Sequence, residues 1–182
     1  MSKLDVVGKR EVMLDAWDKA TGQAKFTDDF ALSGMLFGKI LRSPYAHAKV
    51  LRVDLTEALK VPGVKDAISG KDIPKKQYGI VPMAKDEYAL AIEKVRYIGD
   101  EVAAVVATSI ETAEEAISKI RVDYEELPAV FDPFEAMKPG APILHSKVPN
   151  NVSASIRKEF GNVAKAFSES DFVFEDTFET QP

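Results

Sequence analysis

The sequence predicts an α+β domain, and three observations carry that prediction. Val102 to Ala107 is apolar at every position, as a strand buried on both faces requires, and it leads directly into a stretch with helical spacing. A second strand, helix and strand in the same order precede it between residues 48 and 69. The chain of 182 residues is 46% apolar and 29% charged, an ordinary globular composition with enough length for a sizeable core.

Residues 1–35 are polar and irregular, with a turn signal at Thr21-Gly22 and an acidic pair at Asp28-Asp29. They are expected to form an extended arm packed on something larger. MLFGKILR at 35–42 alternates as a strand does, and SPYAHA ends it at Pro44. AKVLRVD at 48–54 is the next strand. Asp54 followed by Glu57 has the form of a helix N-cap with a reciprocal carboxylate, so LTEALK is expected to be a short helix stopped by Pro62-Gly63. VKDAIS at 64–69 returns as a strand and completes the first strand–helix–strand unit.

Residues 71–94 contain Pro74 and Pro82 and no clear period, which reads as a long excursion at one end of the sheet. KVRYI then forms a strand, Gly99-Asp100 a turn, and Val102–Ala107 the buried strand. Thr108 or Ser109 can cap the helix that follows, whose Ile110, Ala113, Ile117 and Ile120 share one face. IRVDYEELPAV is the returning strand, expected to lie parallel to the buried one after a right-handed crossover. KPGAPILHSKVPNN reads as a surface connector, NVAKAFSES as a short amphipathic helix, and DFVFEDTFETQP as a strand burying Phe172, Phe174 and Phe178. The chain thus divides into an arm at 1–35, a core at 36–138, and a connector, helix and strand at 139–182.

A net charge of −5 offers no basic face for nucleic acid. With no cysteine, the chain can supply neither a disulfide nor a thiolate ligand for zinc or an iron–sulfur cluster. The start has no apolar stretch of the signal-peptide kind, and no apolar run of membrane-spanning length follows, so a cytoplasmic protein without membrane contact is expected. His47 and His145 are far apart in sequence and are expected to be surface or hydrogen-bonding residues rather than metal ligands. SGKD at 69–72 resembles the end of a phosphate loop, but the glycine spacing is wrong and Asp72 stands where a hydroxyl should be. There is no G-x-G-x-x-G and no G-x-S-x-G, and the carboxylate pairs Asp28-Asp29 and Glu125-Glu126 point to opposite sides of an extended chain. No catalytic, cofactor-binding or metal residue is assigned.

The stretches TGQAKFTDDF, LFGKILRSPYAHAKVLRVD, VPGVKDAISGKDIP, VRYIGDEVAAVVA and VDYEELPAVFDPFEAM, with FETQP at the end, carry a resemblance in order and spacing. The sequence resembles the N-terminal part of the molybdopterin-binding large subunit of the xanthine dehydrogenase and aldehyde oxidase family, from about Gly8 to Pro182. The resemblance implies an α/β hammerhead domain followed by a connector into a molybdenum-cofactor domain. GIVPMAKDEYALAIEKVRYIGDEVAAV and VPNNV lean toward the 4-hydroxybenzoyl-CoA reductase branch. In that family a molybdenum centre with a pterin dithiolene exchanges oxygen with the substrate carbon, in most members as hydroxylation with water as oxygen source. Electrons pass through 2Fe-2S clusters, often to FAD, on partner subunits or domains. Because ETQP opens a longer run in the family, the chain is expected to be a fragment, inactive alone and able to self-associate. Its substrate would be aromatic, heterocyclic or an aldehyde. The competing reading is a stand-alone module binding a small ligand or acyl-CoA without catalysis, with Lys75-Lys76 as its anion contact.

Overall fold

A computed structural model describes residues 7–79, 85–148 and 150–180. The excursion's Pro82 and the terminal Gln181 and Pro182 lie outside them. Residues 7–35 hold a short helix, α1 (Ala16–Thr21), and a 3-10 turn at Thr27–Asp29, and none of these residues is buried.

The core elements are β1 (Phe37–Arg42), β2 (Ala48–Asp54), α2 (Thr56–Leu59), β3 (Val64–Ser69), β4 (Lys94–Val95), β5 (Glu101–Ala107), α3 (Ile110–Lys119) and β6 (Arg121–Glu126). They form two antiparallel sheets among the described residues, ordered β1-β5-β3 and β4-β2-β6. The expected parallel pairing is therefore corrected. β5 has β1 on one edge, from Phe37 opposite Ala107 to Arg42 opposite Glu101, and β3 on the other, from Val64 opposite Ala107 to Ser69 opposite Ala103. β6 pairs with β2 instead, Asp54 opposite Arg121. Each strand–helix–strand unit thus carries the chain from one sheet to the other. The first connection, residues 55–63, is shorter than the dozen or more residues of a parallel crossover, and in the second unit both edges of β5 are already taken by β1 and β3, so β6 pairs elsewhere.

β5 is buried on both faces, as its unbroken apolar run requires. Ala103 and Val105 pack with Ala58 of α2, Ala116 of α3, Val61, Ala67 and Ile120. Val102, on the opposite face, packs with Ala48, Ala91 and Val95 of the second sheet's side. Val53 and Val122 touch both clusters and join them. Val95 and Val102 are fully buried, a burial that stabilises by about 1.5–3 kcal/mol for each such side chain.

The helix signals resolve in detail. Ser109 caps α3, its Oγ accepting the Thr112 N–H at 3.2 Å, and Ala113 and Ala116 carry the buried face while Ile110 stays exposed. Asp54 does not cap α2 in the expected way: it closes β2, accepts the Thr56 N–H at 3.0 Å, and Glu57 pairs with Lys60 rather than reaching back.

Beyond β6, Asp132 Oδ1 accepts the N–H groups of Phe134 and Glu135 and starts α4 (Pro133–Ala136), with proline at the first turn. The short helix read near the end is α5 (Val163–Glu169), capped by Asn162 and burying nothing. No strand follows it among the described residues. Phe172, Phe174 and Phe178 are 80%, 85% and 89% exposed, because residues 171–180 meet no strand edge that could pair with them.

Candidate functional site

The chain changes sheets at each connection from β1 to β6, and two of these corners are bonded to each other. Residues 43–47 lead from β1 to β2, and residues 96–100 lead from β4 to β5. The Ser43 N–H donates to the Asp100 carbonyl and the Gly99 N–H to the Ser43 carbonyl, both at 2.8 Å. Ser43 Oγ accepts the Tyr45 N–H, and the Tyr45 ring rests on Tyr124 with centroids 5.1 Å apart. Gly99 turns at a φ of 98°, the left-handed region that glycine occupies without strain.

Asp100 sits inside this junction. It is buried, and its carboxylate accepts the Arg96 N–H at 2.9 Å. That bond takes the donor a longer β4 would have used, so the strand expected over KVRYI stops at Val95. Burial pushes the Asp100 carboxyl above the ordinary carboxylate range, against the pull of the Arg96 N–H.

A cleft of about 260 Å³ opens beside the same corner, with Lys75, Gln77 and residues 85–96 on one side and residues 145–148 and Ser153 on the other. Lys75, Lys85, Lys94, Arg96 and Lys147 line it, opposed by Asp86 and Glu93. The connector forms one wall because Asn151 clamps it. Its Nδ2 donates to the carbonyls of Ala136 and Pro142 at 2.9 and 2.8 Å, and its Oδ1 accepts the Leu144 N–H at 3.1 Å.

The two histidines, distant in sequence, come to this region. His47 Nδ1 lies 2.7 Å from the Pro128 carbonyl, which can only accept, so Nδ1 carries the proton and Nε2 accepts from Lys94 Nζ at 3.2 Å. His145 Nε2 stands 3.4 Å from Asp86 Oδ2 at the cleft wall. Burial, then the Arg96 charge, hold the His145 imidazole below its ordinary range, while Asp86 acts the other way. Burial likewise lowers Lys94, followed by its cationic neighbours Arg96 and Lys49.

Other sequence features resolve as structure. SGKD is a turn, with Ser69 donating to Asp72 Oδ2 from both its N–H and its hydroxyl at 2.8 Å. Glu125 pairs with Lys49, and Asp29 accepts the Phe26 N–H, so neither acidic pair converges on a common point. Lys75 faces the cleft whereas Lys76 lies over the Tyr78 ring, so the two lysines part ways.

A family model described as aldehyde oxidase and xanthine dehydrogenase, a/b hammerhead domain, matches residues 21–128, which hold both sheets and both corners. The chain belongs to that family. This hammerhead domain is 39% identical to a probable xanthine dehydrogenase component of Bacillus subtilis, over 91% of its own length and 22% of that protein's. It is 35% identical to the nicotinate dehydrogenase large molybdopterin subunit of Eubacterium barkeri, covering 96% of this chain and 40% of the relative. Among solved structures, quinoline 2-oxidoreductase from Pseudomonas putida 86 superposes with a TM-score of 0.74 at 32% identity, over 90% of this chain and 22% of that one. The hammerhead chain therefore spans about a fifth to two fifths of the length of these relatives.

The Eubacterium barkeri relative is named as a molybdopterin subunit, so the donor set of this hammerhead domain matters. Among the described residues no three His, Asp or Glu side chains gather as a metal site would need. Without cysteine the chain offers no thiolate to an iron–sulfur cluster. These residues do not fit a metal centre, and no chemical step is derived through one. Among the described residues no helix is long and apolar enough to cross a membrane.

Sequence reasoning missed the convergence at the cleft. Lys94 and Arg96, two apart on an extended segment and so on one side of it, were its available signal. His145 and Lys147 had none, because only the Asn151 clamp brings the connector back onto residues 85–96.

Proposed function

We propose that this chain is the N-terminal structural domain of a molybdenum hydroxylase, with the arm at 1–35, core at 36–138 and connecting segment at 139–182 as its parts. The observation that carries this reading is the distribution of exposed apolar side chains. Trp17, Phe26 and Phe30 on one side of the core sequence, and Ile156, Phe160, Phe167, Phe172, Phe174 and Phe178 on the other, are all at least 59% exposed. Such a density of large apolar groups outside the core marks surfaces that meet other protein. The relatives, of which this chain covers 22% to 40%, supply the context: their further length is where a molybdenum-pterin cofactor would be held. Partner subunits or domains with 2Fe-2S and FAD would carry electrons from it, as in the resemblance that the sequence motifs support.

The domain's own role is positioning: it holds two rigid sheets at a fixed relation through the Ser43–Asp100 junction and presents arm and connector to its neighbours. The substrate of the whole protein would be aromatic, heterocyclic or an aldehyde, a reading supported by relatives named for nicotinate and quinoline. The test is to purify the complete gene product with any subunits that accompany it, measure molybdenum content, and assay hydroxylation of nicotinate, quinoline, xanthine and benzaldehyde with an artificial electron acceptor. Molybdenum with turnover of one of these supports the proposal; a complete protein that holds no molybdenum and oxidises none of them overturns it.

A further inference from the structure

We propose that the cleft beside Lys94 and Arg96 is a binding site for a small doubly charged oxyanion of the phosphate type. Five cationic side chains line it against two carboxylates, and the pair at its floor is held in an unusual way. Lys94 is positioned by the His47 imidazole, and the Arg96 Nε–H donates to the Leu144 carbonyl at 3.2 Å. Both partners are neutral acceptors. They fix the direction of each cation without cancelling its charge.

Among the described residues neither cation has a carboxylate within ion-pair distance. Of the two carboxylates in the lining, Asp86 stands against His145 instead, and Glu93 forms no ion pair with either cation. Two like charges on neighbouring same-side positions, half withdrawn from water, repel each other; an anion set between them reverses the sign of that interaction. Arg96 Nη1 also donates to the Lys94 carbonyl at 3.5 Å, and Nη2 keeps its N–H groups for an oxyanion, while Lys94 acts as a point charge. The cleft volume of about 260 Å³ admits such an anion with some of its hydration.

The site makes no use of the proposed structural role, so the two can fail separately. The test is calorimetric titration of inorganic phosphate into the intact protein at constant ionic strength, beside the Lys94→Gln variant. Glutamine keeps a donor for His47 Nε2 and removes only the charge. Saturable binding that weakens at least tenfold in the variant, with an unchanged circular-dichroism spectrum, is the expected result. No saturation up to about 10 mM phosphate, or equal affinity in the variant, overturns the proposal. Nitrate, singly charged, is the control for general screening, and nitrate binding as well as phosphate does would also overturn it. Phenyl phosphate distinguishes the sources: binding equal to that of phosphate assigns the cleft to the terminal phosphoryl group of a larger ligand, and binding of phosphate alone assigns it to the free ion, the site standing in either case.

Discussion

Lys94 Nζ stands 3.2 Å from His47 Nε2, and the opposite ring nitrogen of that histidine is tied to the Pro128 carbonyl at 2.7 Å. The buried imidazole therefore links β4 to the segment just beyond β6, and the His47 backbone carbonyl adds a bond from the Leu127 N–H at 2.9 Å. Removing the ring leaves the Pro128 carbonyl without its donor and Lys94 without its acceptor. His47→Ala is expected to destabilise the protein by about 1–3 kcal/mol, the usual cost of buried polar groups left unpaired. Urea denaturation followed by circular dichroism reads this directly; a variant within about 0.5 kcal/mol of wild type would show that the link carries no stability.

Gly70 tests the close approach between the two halves of the core. A Cβ at this position would overlap the backbone carbonyl of Ala91, and Ile92 Cα would lie only 3.0 Å away. Gly70→Ala is expected to cost about 1–3 kcal/mol, because backbone rather than a flexible side chain must yield. Gly99→Ala is the informative comparison. Its Cβ meets nothing within 4 Å, so only the left-handed φ of 98° is penalised, at about 1–2 kcal/mol. Thermal melts of both variants should also separate them by crowding: a further Ala91→Gly change would not relieve Gly70→Ala, since the clash is with main chain.

Asp100 sets a pH dependence whose sign follows from its burial. Its carboxyl is raised above the ordinary 3.8 when folded, so the folded state holds the proton more tightly than the unfolded one. Stability from this group is fully present below 3.8 and is lost as pH rises through the raised folded value. Asp100→Asn keeps an acceptor for the Arg96 N–H and cannot ionise. The variant should lose that decline and be the more stable protein at neutral pH, as melting temperatures across pH 3 to 8 would show. Matching curves for the two proteins would mean that the carboxylate is charged at no cost in its junction.

Phe172, Phe174 and Phe178 are expected to drive self-association of the isolated 182-residue chain, since each is at least 80% exposed. Sedimentation velocity should show concentration-dependent oligomers in wild type, dispersed by the triple change to serine. A wild-type chain that stays monomeric at high concentration would remove the apolar surface from the account.

Local chemistry was legible in the sequence wherever a residue's role depends on its immediate neighbours. The unbroken Val102–Ala107 run read as a strand covered on both faces, and Thr108 or Ser109 stood ready to cap the helix that follows, the role Ser109 takes. Asp132-Pro133 carried an equally local helix start that went unread. The order of motifs along the chain carried the family resemblance as well, and the hammerhead-domain match over residues 21–128 bears it out. Asp54 misled because a carboxylate three residues before Glu57 looks the same whether it opens a helix or closes a strand.

What the tertiary structure alone decided is partnership at a distance. Apolar periodicity says that a strand has two buried faces but not which strands flank it; β6 joins β2 rather than β5 because β1 and β3 occupy both edges of β5. The phenylalanines near the end follow a strand's alternation, yet a strand exists only where a partner edge supplies hydrogen bonds, and residues 171–180 meet none. The cleft likewise exists because Asn151 folds the connector back, bringing His145 and Lys147 to Lys94 and Arg96. Charges so far apart along the chain share a field only when the backbone between them is fixed, and that is a property of the folded molecule.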